Sequence, residues 1–153
     1  GFEKSSLMKD FFLDKFEYDF YATKYWIKCI ENQEDNVTDF VKRSISHILN
    51  AHHIWIARLT TNEIESEIWD VLPISYLTRL HEQTYRQIVD FLEKFELEEK
   101  INFHSSEGVK MTKNVIDVLY HMLNHSNYHR AQIVMELKQH GLEHPSLNFI
   151  SYR

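Results

Sequence analysis

Turn-forming residues are almost missing from this chain: 153 residues contain three glycines and two prolines. So few breakers exclude a fold of many short strands joined by tight turns and point to a few long helices. A single cysteine, Cys29, excludes an internal disulfide and fits a reducing compartment, so the expected location is cytoplasmic. No apolar run approaches the roughly 20 residues that a membrane helix requires. No signal-peptide pattern opens the chain, and Gly1 in place of an initiating Met is read as a tag remnant outside the fold. Positive charge is outnumbered, with 17 Lys and Arg scattered among 23 Asp and Glu. The formal net charge is −6, with no basic block, which disfavours direct nucleic-acid binding because that requires a concentrated cationic face.

Apolar side chains, by contrast, are plentiful. They make up 43% of the sequence, and Phe, Trp and Tyr alone 14%, enough for a hydrophobic core and against disorder. The expected domain is a single one spanning residues 2–153. Four helical stretches can be read. The first runs from about Lys4 to Asn32, with Leu7, Phe11, Phe12, Phe16, Phe20, Trp26, Ile27 and Ile30 recurring at three- and four-residue steps. Thr38 or Asp39 caps a second helix that runs to about Thr60. A third starts near Pro73 and continues to about Glu98. The fourth follows Thr112 and stops at Gly141. Between the last two, Ile101 to Thr112 alternates around Ser105-Ser106-Glu107-Gly108 and reads as a small β-hairpin. The economical architecture is an all-α four-helix bundle with one hairpin before the last helix.

Histidine is the conspicuous excess, with ten in the chain. His121, His125 and His129 are spaced four apart on the fourth helix, so their rings stack along one side, where two could grip the same ion. Val115, Val118, Met122, Ile133 and Leu137 mark that helix's buried stripe; His125 and His129 fall within it and His121 at its edge. A buried imidazole needs a partner, because an unsatisfied polar group costs roughly 1–3 kcal/mol. A metal is one such partner and a core hydrogen bond is another.

The second helix is apolar on two sides. Val41, Ile45, Ile48, His52, Trp55 and Leu59 form one seam; Phe40, Ser44, His47, Ala51, Ile54 and Arg58 form another face. One face is expected to pack inside the bundle and the other to line a cleft or meet a second subunit, hence an expected homodimer. Periodicity leaves open which of His47, His52 and His53 approaches the fourth helix.

The stretch Ser46-His47-Ile48-Leu49-Asn50-Ala51-His52-His53-Ile54-Trp55, followed about seventy residues later by Asn124-His125-Ser126-Asn127-Tyr128-His129-Arg130-Ala131-Gln132, resembles the DinB/YfiT-like family, which includes metal-dependent enzymes. The likeness spans nearly the whole chain, including the hairpin and the Asn148-Phe149-Ile150 ending. It implies an up-down-down-up bundle with one divalent metal held by His47, His125 and His129. Ala131 stands where glycine is usual, and Asn148 where aspartate is frequent; neither is a ligand position.

Three neutral imidazoles leave a divalent ion an open position, as catalytic sites do. Zinc, nickel and iron(II) all accept such ligands. Some relatives that the chain resembles are thiol-dependent transferases or isomerases. The first expectation is therefore a transferase using a low-molecular-weight thiol, such as bacillithiol or glutathione, or else a hydrolase acting on a small molecule. The alternative is a non-catalytic dimeric bundle that binds a metal or ligand. His121 reads as a general base or ligand partner, or simply as a surface histidine. Arg58 and Arg130 read as anion-binding groups or as members of structural ion pairs. Asn50 and Asn124 are candidates to orient the imidazoles through their second nitrogen. Cys29 reads as an apolar filler.

Overall fold

The computed structural model describes residues 2–153, with side chains from residue 6 onward. Four long helices dominate it: α1 (Phe2–Glu31), α2 (Asp39–Thr60), α3 (Ile74–Lys94) and α4 (Val115–Gln139). An antiparallel hairpin of β1 (Lys100–His104) and β2 (Lys110–Asn114) precedes α4, and a single turn, α5 (Phe149–Tyr152), closes the chain. No described helix is long and apolar enough to cross a membrane.

Local chemistry sets most boundaries. The Thr38 side chain accepts from the Val41 amide and caps α2, as its sequence predicts. Gly141 sits at φ 65°, the left-handed conformation that ends α4 without a Cβ penalty. The hairpin turns through Gly108 at φ 81°, and the Ser105 hydroxyl accepts from the Glu107 and Val109 amides. α3 ends at Lys94, four residues before the expected Glu98. Phe95 takes an extended conformation there, and Leu97 is buried through the turn that follows rather than along a helix face. The short α5 has no counterpart in the sequence reading. The Asn148 side chain caps it by accepting from the Ser151 amide.

α1 packs on α3 and α4, and α2 packs on the same two helices. Their apolar faces meet in two clusters. One contains Trp26, Ile27, Ile45, Ile48, Leu77 and Ile133; the other contains Phe12, Phe16, Ile56, Ile88, Leu119 and Met122. Leu7 and Phe11, expected in the first helix's stripe, are exposed instead. Between the clusters lies a polar layer of buried side chains: Asp19 and Thr23 from α1, His52 from α2, His81 and Thr84 from α3, and Ser126 and Arg130 from α4. The candidate site flanks this layer.

Residues 44 to 50 of α2 are all buried, so the helix is covered on both sides there. The second cover is the connection 61–73 of the same chain. The Leu72 amide donates to the Ser46 hydroxyl, the Asn50 amide group to the Asp70 carbonyl, and the Glu65 amide to His53 Nε2. The face of α2 that suggested a second subunit is therefore occupied by the protein itself at this level.

Candidate metal centre

The buried stripe of α4 runs Met122, Ser126, Arg130, Ile133, Leu137, a ladder of three- and four-residue steps. Ser126 and Arg130, not His125 and His129, hold its centre at the level of the polar layer. The two histidines are half-buried on the flank that faces α2. α2 presents His47 to them. The three ring centroids form a nearly regular triangle: His47–His125 4.7 Å, His47–His129 4.5 Å and His125–His129 4.5 Å. One ring nitrogen from each lies within 4.8 Å of the other two.

His47 is the most constrained of the three. Its Nδ1–H donates to the Ile68 carbonyl at 3.1 Å, which leaves the Nε2 lone pair directed at His125 Nε2, 2.9 Å away. The Trp69 indole lies on the same ring, with centroids 3.7 Å apart and planes 8° from parallel. Residue identity gives no trace of the Ile68 partner, a backbone carbonyl, whereas Trp69 is visible in the sequence but its stacking on His47 is not.

Burial lowers the pKa of all three rings. For His125 the neighbouring His129, His47 and His121 add to it, and its pKa falls to about 3. All three are thus neutral at pH 7, the form that donates a lone pair. His125 Nδ1 and His129 Nδ1 are buried with no hydrogen-bond partner, a costly arrangement if nothing else engages these rings. Neutral rings, converging nitrogens and orphaned polar atoms together fit a divalent cation, whose bonds to imidazole run about 2.0–2.1 Å. The cluster could hold a metal ion.

The other candidates lie elsewhere. His52 is buried in the core, where Nε2 donates to the Met122 carbonyl at 3.1 Å and Nδ1 faces Asp19. His53 fastens the 61–73 connection. His121 borders the triad, its ring 5.5 Å from His125 and 5.6 Å from Trp55, and burial lowers its pKa. Asn50 holds Ser66 and Asp70 rather than an imidazole. Asn124 is exposed.

Arg130 is buried, and its guanidinium is bound to Asp19 at 2.7 Å and to Thr23 at 2.9 Å. Ser126 also donates to Asp19. Burial alone would raise the Asp19 carboxyl, but Arg130 and these hydrogen bonds hold it below the ordinary carboxylate range. The structural ion pair is thus the arrangement adopted by Arg130. Arg58 forms no ion pair among the described residues; its guanidinium lies over Trp55 and Phe103. Cys29 is half-buried, and burial raises its pKa, so it is a poor nucleophile.

No curated protein matches the chain. The description of the DinB family, however, matches residues 26–153, a span that includes α2, the hairpin, α4 and all three clustered histidines. The chain belongs to the DinB family.

Proposed function

We propose that the chain is a metal-dependent enzyme, with His47, His125 and His129 as ligands of one divalent ion. Its preferred reaction is transfer of a low-molecular-weight thiol to an electrophile, with hydrolysis second. The observation that carries this reading is the convergence of three neutral imidazoles from two helices, two of which, His125 and His129, keep a buried Nδ1 without a hydrogen-bond partner.

A divalent ion held this way supplies Lewis acidity and an open position, at which water or a thiol is acidified. The protein's own groups supply the rest. The Ile68 carbonyl fixes the His47 tautomer, and Trp69 shields that ring from water on one face. His121 is neutral and next to the triad, placed to accept a proton from an incoming nucleophile. The Asp19–Arg130 pair anchors α1 to α4 directly behind the ligands.

The pairwise packing of the long helices supports a single four-helix bundle in up-down-down-up order, with the metal centre between its second and fourth members. The native ion is zinc, nickel or iron(II), and the setting we infer is cytoplasmic.

Elemental analysis of untagged protein tests the first half of the proposal, with about one equivalent of divalent metal expected. Screening bacillithiol, glutathione and mycothiol against electrophiles, with and without that metal, tests the second. Metal-dependent turnover is expected; uniform inactivity of the loaded protein overturns catalysis and leaves a binding protein.

A further inference from the structure

A groove of about 500 Å³ opens beside the triad, between α2, the hairpin and the first half of α4. Its apolar walls are Trp55, Phe103, Met111 and Val118, and two fixed cations, Arg58 and Lys113, line it against one carboxylate, Asp117. Asp117 accepts from Asn114 and forms no ion pair with either cation among the described residues. Arg58 lies over two rings, its Cζ 4.6 Å from the Trp55 centroid and 4.7 Å from that of Phe103. Its Nε is buried with no partner, and Nη2 makes only a long 3.5 Å bond to the His104 carbonyl. A half-buried guanidinium with most of its hydrogen-bonding capacity unused is an unfinished contact, because such charges are ordinarily paired.

The groove also communicates with the triad. His121 lines it, the Trp55 ring is 5.6 Å from His121 on one side, and His125 is 5.5 Å away on the other. Along α4, Val118 and His125 are separated by about 10 Å of helical rise. A molecule of that length can touch both ends.

We propose that this groove recognises an organic carboxylate with an apolar or aromatic body. The anion binds the terminal nitrogens of Arg58, with Lys113 adding charge, and the body lies against Trp55, Phe103 and Met111. The reactive end runs past His121 toward His47, His125 and His129. This inference rests on the triad being the reaction centre, but the groove's own chemistry is independent of any ion. The guanidinium fork matches a carboxylate in two parallel hydrogen bonds, and the flat walls favour a ring.

The probe is 4-phenylbutyrate, compared with its neutral amide on the full chain, by calorimetry and by the NMR signal of Arg58 Nε–H. The carboxylate is expected to bind and shift that signal, with the amide weaker by about tenfold or more, as loss of a charge-assisted pair implies. R58Q should cost a similar factor, while R58K keeps part of the affinity and, by circular dichroism, the wild-type fold. Chelator-treated wild-type protein should bind the probe within about twofold of metal-loaded protein, since the groove contains no ligand residue. That pattern in a protein that holds no metal would sustain the groove and sink the metal reading alone. Equal binding of acid and amide, no binding, or no effect of R58Q in a metal-loaded protein would sink the groove alone.

Discussion

Trp69 lies flat against His47, ring on ring at 3.7 Å, and the residue before it, Ile68, accepts the proton of His47 Nδ1. The connection between α2 and α3 therefore works as an outer wall of the triad: it selects the tautomer, orients the ring and excludes water from one face. W69A should weaken divalent-metal affinity by about tenfold, the scale typical of losing an outer contact to a ligand. Competition with a chromophoric chelator measures this. The unfolding midpoint of the metal-free variant should hardly move, because Trp69 is 56% exposed. Unchanged affinity would mean that the stack does not position His47.

The Asp19–Arg130 pair makes a second, separable prediction. Both side chains are almost fully buried, and the pair joins α1 to α4. D19A would strand the guanidinium in the core, at a cost of roughly 3–5 kcal/mol. Replacing both partners with apolar groups, as D19L with R130M, removes the stranded charge and should recover much of that loss. Urea unfolding of the two variants distinguishes them. If the double variant is as unstable as the single one, the hydrogen bonds to Thr23 and Ser126 matter more than the charge pair.

Much of this arrangement is legible in the amino-acid order, and the limits have physical causes. Thr38 and Gly141 announce helix ends because capping chemistry is local. The end of α3 is not announced, since Phe91, Leu92 and Phe95 keep a helical rhythm and no glycine or proline interrupts it before Glu98. The i, i+4 pair His125 and His129 follows from spacing alone. His47 does not, because His52 sits equally well on an apolar face and only the packing of α2 on α4 separates them; family resemblance supplied that choice. The polar layer did leave a signal that periodicity could have caught. Asp19 falls between Phe16 and Phe20 on the apolar side of α1, and an acid there requires a buried cation. The two-sided character of α2 was readable, and the chain's own connection covers its second side around Ser46 and Asn50.

His81 sets an acid limit on stability. It is buried, its Nε2–H donates to the Phe20 carbonyl at 2.9 Å, and it stacks on the Phe20 ring. Burial drives its pKa down to about 4 from an ordinary 6.5. A base with a depressed folded-state pKa binds its proton more readily when unfolded, so its contribution is complete above about pH 6.5 and is lost as the pH falls toward 4. The loss over that window should be on the order of 2–3 kcal/mol. Chelator-treated wild type and H81Q, unfolded in urea at pH 7 and pH 4.5, give the comparison. The wild type should lose more stability than H81Q between the two; equal losses would remove His81 as a source of acid sensitivity.

The same logic governs how an ion would compete with protons at the triad. Three ordinary histidines at pH 6.5 would carry about 1.5 protons between them, and a metal would have to expel those. Here burial lowers all three pKa values, and burial with repulsion from its neighbours takes His125 to about 3, so each ring is more often neutral than charged at that pH. Zinc binding at pH 6.5 should therefore release less than one proton from the three rings. Calorimetric titrations in buffers of different ionisation enthalpy count the protons directly. A release of two or more would require rings that are solvated and charged before the ion arrives, and would contradict the buried, neutral triad on which the proposed chemistry depends.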